Sequence, residues 1–351
     1  MNPGLTLPQS RVRSLIRAGQ RRRILVVGDV LLDQFIWGGV RRISPEAPVP
    51  VVDFQRESFM AGGAANVARN LTALGTEARL FGVVGTDTAA GHLAEILRHD
   101  GVDCGGLVTV DDRPTGLKTR VIAHQQHIVR IDRERRAPLS AEASARLVGA
   151  IVKALPGADA VVVGDYAKGV VNQELLDLLK KECRARAVWL SEDPKPSNGL
   201  DLAGLSLITP NRKEAFELAG REEEAHAENP LADRALLEVA EILLDRLGSA
   251  LLLITLGSQG MLLCQRGRKP YWIPTVAQEV FDVSGAGDTV IASFTLAVVA
   301  GASPIEAAIF SNHAAGVVVG KVGTATVTPA ELLESFLPAK AAPASRRRGA
   351  R

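Results

Sequence analysis

The chain has 351 residues, with 41 Lys plus Arg against 39 Asp plus Glu, a formal net charge of +2. Apolar residues make up 46% and charged residues 23%, which excludes a disordered or fibrous chain and supplies a sizeable core. The near balance of charge gives no reason to expect nucleic acid as a partner, and no run reaches the roughly 20 apolar residues that cross a bilayer, so no membrane partner is expected either. Cys104, Cys183 and Cys264 show no paired spacing, so neither a disulfide framework nor a zinc site follows. The start lacks the apolar stretch of a secretory signal, and the expectation is a soluble protein of the reducing cytoplasm.

In chain order, residues 1–23 are basic and read as a solvated tail. The first strand is ILVV (24–27), ending at Gly28-Asp29. Residues 33–60 and 107–132 read as short alternating strands of a small antiparallel sheet, a lid beside the main body. LFGVVG (80–85), AVVVGD (160–165), LSLITP (205–210) and ALLLITLG (250–257) are apolar runs, the first three each followed by a helical pattern. Such alternation predicts a doubly wound α/β fold, its mainly parallel sheet covered by helices on both faces. Ligands of that fold bind outside the carboxyl ends of the strands, so Asp29, Asp165, Asp193 and Asn211 gain interest. Residues 221–233 read as a solvated acidic loop, and 339–351 as a basic C-terminal tail. One body, 24–338, holds the chemistry.

The strongest motif is Asp282-Val-Ser-Gly-Ala-Gly-Asp288-Thr, followed by an apolar helical run. Ser284, Gly285, Ala286 and Gly287 form a tight turn opening a helix, whose free amides and dipole suit an anion. Asp288 then stands in the first helical turn, as a base or orienter for an attacking hydroxyl, or as an ordinary helix-favouring Asp after a Gly-rich turn. A P-loop and a dinucleotide fingerprint are both absent from the sequence. In MAGGAANVARN (60–70), Gly62 and Gly63 open a second helix and let a polyol approach the backbone, with Asn66 offering a donor and an acceptor; a plain helix start is the alternative. Asp29 and Asp33 follow the first strand, where carboxylates suit sugar hydroxyls or cap a turn.

Together GD…D, GGAANVARN and DVSGAGD resemble the PfkB, or ribokinase-like, carbohydrate kinases in order and spacing, from about residue 24 to 338. The resemblance implies the doubly wound domain with its β-sheet lid and ATP-dependent phosphorylation of a sugar hydroxyl. By the same resemblance Asp288 matches the catalytic base, the turn 284–287 the anion hole, and Asn211-Arg212-Lys213-Glu214 the N-x-x-E motif that organises Mg²⁺ and phosphate. Thr255, Gly257 and Gly260 match the nucleotide-side loop and Asn312 an adenine-side residue; His313 reads as packed rather than catalytic. Glu214 is the expected metal-side carboxylate, with Asp193 an outer-shell candidate, and a monovalent cation stays open. Asp288, at a helix N-terminus, is expected to be ionised and a weak base, as a loose phosphoryl transition state allows.

Within the family, RRISPEAPVPVV, RPTGLKTRVIAHQQHIVRID and GDYAKGV resemble the branch that phosphorylates heptose 7-phosphate in lipopolysaccharide core synthesis. That implies transfer to the anomeric hydroxyl, giving the 1,7-bisphosphate. A phosphorylated sugar needs cations, and Lys118, Arg120 and Arg130 of the lid with Lys168 and Lys195 at strand ends supply them; each alone also reads as a surface charge. Another sugar or nucleoside kinase with the same machinery, or a non-catalytic sugar- or nucleotide-binding regulator, are the competing readings. The apolar lid residues Phe35, Ile36, Trp37, Val49 and Val51 point to a lid-to-lid homodimer or to packing on the protein's own body.

Overall fold

A computed structural model describes residues 6–124, 126–223, 227–248, 251–277 and 279–337. The first half of the chain runs α1 (Gln9–Gly19), β1 (Arg23–Gly28), β2 (Val30–Ile43), β3 (Pro50–Gly63), α2 (Ala64–Ala73), β4 (Glu77–Val84), α3 (Thr88–His99), β5 (Asp103–Thr109), β6 (Gly116–Ala123), β7 (Gln126–Arg133) and α4 (Ala141–Ala154). There follow β8 (Ala160–Gly164), α5 (Gln173–Arg186), β9 (Trp189–Asp193), β10 (Leu207–Ile208), α6 (Arg212–Ala219), α7 (Arg234–Leu247), β11 (Leu251–Thr255), β12 (Met261–Gln265), β13 (Tyr271–Ile273), α8 (Ala286–Val299), α9 (Pro304–Val318) and α10 (Pro329–Ser335).

Among the described residues the main sheet has nine strands in the order β13-β12-β11-β10-β9-β8-β1-β4-β5. It is parallel from β11 to β5, with an antiparallel extension through β12 and β13. Its central strands are apolar on both faces because each face is covered: Val26 and Val162 join the core under α2 and α8, Val27 and Val163 the core under α4, α5 and α7. Asp29, Asp165 and Asn211 follow the carboxyl ends of neighbouring strands and Asp193 is the last residue of one, as the ligand rule for open sheets requires.

The lid is a separate sheet, β3-β2-β6-β7. It departs from the expected antiparallel sheet in one pair, since β2 and β6 run parallel. The long excursion through β4, α3 and β5 separates them and lets β6 return in the same direction. The stretch expected as lid from residue 107 is divided: β5 belongs to the main sheet, and the lid resumes at Gly116.

The N-terminal tail reading is corrected. Residues 9–19 form α1, with Val12, Leu15, Ile16 and Gly19 buried at helical spacing. Its basic residues line the outer face, and Arg11 grips Glu306 of α9 through Nε at 2.7 Å. Residues 1–5 and 338–351, which include the expected C-terminal tail, lie outside the described residues.

Candidate active site

The turn before α8 is built by Asp282, whose Oδ1 accepts the Ser284 amide at 2.9 Å and whose Oδ2 accepts the Gly323 amide at 3.0 Å. Gly285 sits at φ 78°, where a Cβ would come within 2.6 Å of Asn66 Nδ2; the conformation and the close approach both require glycine. Not all four amides of the expected anion hole are free. Ser284 donates to Asp282 and Ala286 to the Val283 carbonyl, so the amides of Gly285 and Gly287 are the ones without an acceptor among the described residues.

Asp288 follows, 5% exposed, in the first turn of α8. Asn66 Nδ2 of α2 donates to its Oδ2 at 2.7 Å, and the Tyr166 hydroxyl donates to its Oδ1. Burial pushes the carboxyl up to about 6, although both hydrogen bonds and the nearby Lys118 pull it down and Asp33 pushes it further up. The expected weak, fully ionised base is therefore a base poised near neutrality: desolvation outweighs the helix terminus. Asn66 in turn is tied to Asn70, whose Oδ1 accepts from Thr289 Oγ1 at 2.9 Å, so α2 and α8 are joined by a buried polar ladder.

Asp29 does not present its carboxylate to a sugar. Its Oδ2 accepts the amides of Tyr166 and Lys168, both at 2.9 Å, and its Oδ1 that of Val170 at 3.1 Å. Asp29 thus shapes the loop after β8. Gly63, at φ 60°, opens α2 against the Asp29 carbonyl, and Gly62 lets the end of β3 lie against the Asp33 carboxylate.

The expected phosphate clamp is taken apart. Lys168 Nζ pairs with Glu134 at 2.6 Å, and Lys195 Nζ with Glu214 at 2.9 Å, so the two lysines serve different carboxylates. Arg130 is exposed and pairs with Asp132 at 2.9 Å, while Arg120 pairs with Asp33. Of the five cations expected in the clamp, Lys118 is the one with no carboxylate ion pair among the described residues. Its ammonium lies 5.7 Å from the centre of the Tyr166 ring, and burial lowers its pKa despite Asp33.

On the other side of Asp288, Asn211 and Glu214 form a capping box for α6: Asn211 Oδ1 accepts the Glu214 amide at 2.9 Å and Glu214 Oε2 accepts the Asn211 amide at 3.1 Å. Arg212 is corrected to a structural role, buried and ion-paired with Glu223 at 3.1 Å and Asp233 at 2.9 Å. These pairs also tie down part of the stretch read as a solvated loop, of which residues 224–226 lie outside the described residues. Lys213 is exposed, 3.8 Å from Glu217. A cleft of about 500 Å³ is lined by Thr255, Gly257, Gly260 and Asn312 together with Ala286 and Gly287 of the α8 turn. Asn312 Nδ2 donates to the Pro274 carbonyl at 2.8 Å. His313 is packed, stacked on Phe336 at 3.6 Å, and burial lowers it to about 4.

Asp193 stands half-buried beside the turn, 3.8 Å from where a Gly287 Cβ would stand, with Thr209 Oγ1 donating to its Oδ1 at 3.0 Å. Burial, then Glu214 and Asp288, hold its carboxyl well above the usual range. Like-charged carboxylates facing one another fit a divalent cation held by one or two protein oxygens plus phosphate and water. No cage of three or more acidic, His or Cys ligands exists among the described residues, which is the usual situation for Mg²⁺.

Tyr166, Asn70, Thr289 and Glu134 were not singled out by sequence. The one signal was position: Tyr166 stands between Asp165 and Lys168 just after a strand end.

An α/β body with a β lid, a glycine turn opening onto a cleft and a buried carboxylate beside it together define a sugar kinase of ribokinase fold. The sequence pattern of the pfkB family of carbohydrate kinases matches residues 21–331, and the chain belongs to that family. It is 41% identical over 330 residues to the bifunctional protein HldE of Pelobacter propionicus, covering 94% of this chain and 66% of that one. HldE of Desulfatibacillum aliphaticivorans is 44% identical over 310 residues, 88% of this chain and 62% of that one. The chain thus spans somewhat under two thirds of the length of these curated relatives. The fold matches Arabidopsis thaliana ribokinase complexed with ribose and ATP (TM-score 0.69, 21% identity, 90% of this chain, 98% of that one). It also matches Escherichia coli phosphofructokinase-2 in complex with potassium (TM-score 0.72, 22% identity, 90% and 98%).

Proposed function

We propose that this chain transfers the γ-phosphoryl group of ATP to the anomeric hydroxyl of D-glycero-β-D-manno-heptose 7-phosphate, giving the 1,7-bisphosphate for lipopolysaccharide core synthesis in the cytoplasm. The observation that carries the kinase chemistry is Asp288, buried, held at both oxygens and set one residue after the free Gly287 amide. The heptose phosphate rests on the branch strings in the sequence and on the likeness to proteins named HldE.

The cleft beside Gly257 and Asn312 takes the nucleotide, so that the phosphates run toward the α8 turn. The sugar lies under the lid, with its reacting hydroxyl at Asp288 and its distal phosphate drawn to Lys118. Asp288 accepts the hydroxyl proton as the phosphoryl group leaves ADP. The Gly285 and Gly287 amides and the cation Lys195 meet the charge on the phosphates. Mg²⁺, held by Glu214 and Asp193, would neutralise phosphate oxygens. Closure of the lid excludes water. The exposed Ile43, Val49 and Phe54 at the lid tip are the surface for pairing with a second copy.

A coupled ADP-release assay with Mg·ATP tests the reading across heptose 7-phosphate, sedoheptulose 7-phosphate, fructose 6-phosphate, ribose and adenosine. The heptose phosphate should exceed the others in kcat/KM by at least roughly 10²-fold. Preference for a neutral sugar would overturn the substrate while keeping the kinase.

A further inference from the structure

We propose that Tyr166 is a positioning residue of phosphoryl transfer: its hydroxyl, set in place by Asp29 through the loop after β8, fixes the Asp288 carboxylate in the orientation that meets the substrate. The proposal rests on the reading of Asp288 as the base.

Two donors from different elements hold that carboxylate. Asn66 comes from α2 and binds Oδ2; Tyr166 comes from the loop after β8 and binds Oδ1. A carboxylate offers about four lone-pair sites, so two remain for the sugar hydroxyl. With one donor on each oxygen the plane of the carboxylate is fixed, as a near-attack geometry requires. The loop carrying Tyr166 is itself over-determined. Asp29 binds three of its amides, Asp165 Oδ1 takes the Ala167 amide at 2.8 Å, and Arg113 Nη1 donates to the Lys168 carbonyl at 2.7 Å. Ala167 is held at φ 53°, a conformation that a free loop would relax. The side chains that hold the loop, Asp29, Arg113 and Asp165, are all buried. They hold one phenol against one carboxylate.

The other titratable groups around Asp288 are Asp33 and Lys118 of the lid and Asp193 of β9. Tyr166 itself is half-buried, and desolvation of its hydroxyl beside Asp288 pushes it well above its ordinary value, so it donates and does not compete as a base. A hydrogen bond to the charged form favours that form. Tyr166 therefore keeps Asp288 ready to accept a proton at neutral pH.

The test is the pH profile of kcat for Tyr166→Phe, which keeps the ring. The acid limb should move up by roughly one unit because the charged form loses a donor, and the plateau of kcat above the limb should fall several-fold because one carboxylate oxygen is no longer held. A plateau at the wild-type level, or an unmoved limb, would overturn the proposal. A second variant covers the case in which Tyr166→Phe does not fold. The chain has two tyrosines, so 3-fluorotyrosine incorporation into a Tyr271→Phe background places the fluorophenol at 166 alone. A more acidic phenol is a stronger donor, and the limb should then move down; movement up or none counts against the proposal. Asp288→Asn is run in parallel. If it abolishes turnover, the base reading stands and the Tyr166 profiles alone decide the proposal. If turnover survives, the base reading fails and this proposal fails with it.

Discussion

Asn66 and Asp288 stand in two different sequence motifs and meet at 2.7 Å, Nδ2 to Oδ2, between the first turns of α2 and α8. The contact explains why both motifs are needed at once. The GGAAN stretch supplies the donor that orients the carboxylate, and the SGAGD stretch supplies the carboxylate and the anion turn. Gly285 keeps the two helix starts close enough for the contact to form.

Replacing Asp288 by Asn removes the proton acceptor and keeps the shape. Turnover should fall roughly 10²–10⁴-fold, with KM for ATP little changed. In the wild type, burial raises the carboxyl to about 6, so the base is protonated and turnover is lost as the pH falls through that value. Steady-state rates from pH 5 to 9 check both points. Near-normal turnover of the Asn variant would remove the base assignment.

Gly285→Ala tests the junction of the two helices. Its backbone is at φ 78°, and the new methyl would press on Asn66 Nδ2. The conformation alone costs about 1 kcal/mol or more, and displacement of Asn66 frees one oxygen of Asp288. We expect turnover to fall at least ten-fold while nucleotide affinity, measured by calorimetry, changes much less. An equal loss in both would mean that the turn serves the cleft rather than the base.

The fold was legible because its physics is local. A strand buried on both faces reads as an apolar run, and 160–164 and 251–255 do so plainly, whereas 205–210 yields only the two-residue strand Leu207–Ile208. Helix α1 was hidden because its arginines dominate composition while only Val12, Leu15, Ile16 and Gly19 carry the period. In the candidate site, the placement of residues fixed by their own backbone was legible: Thr255, Gly257, Gly260 and Asn312 line one cleft with Ala286 and Gly287 of the turn before Asp288. Charges were not, because a charge's role depends on its partner. Lys168 and Lys195 looked free until Glu134 and Glu214 appeared beside them, and Arg212 looked nucleotide-facing until Asp233 and Glu223 enclosed it.

Asp29 separates a binding role from a scaffolding one. Asn at this position replaces one carboxylate oxygen by an NH2, which sets a donor against one or two of the three backbone N–H groups and loosens the loop that carries Tyr166. The expected result is a fall in kcat of about ten-fold or more, with KM for the sugar changing less than kcat. If instead KM rises and kcat holds, the carboxylate was binding a sugar hydroxyl.

Glu192 gives a prediction about stability that does not involve turnover. It lies in β9 between Val163 of β8 and Ile208 of β10, fully buried, and neither carboxylate oxygen has a hydrogen-bond partner among the described residues. Burial, then Asp165, raises its carboxyl from 4.5 to about 8, although Lys180 pulls the other way. The folded chain then binds this proton more tightly than the unfolded chain. Between the two values the unfolded state holds fewer protons, so stability falls as pH rises, by up to about 1.4 kcal/mol per unit, and levels off above the folded value. Glu192→Gln keeps the shape and removes the titration. Its melting temperature should vary less with pH between 5 and 8 than that of the wild type, and should exceed the wild type at pH 8. Parallel profiles for the two proteins would show that Glu192 is charged in the folded state and has found a partner.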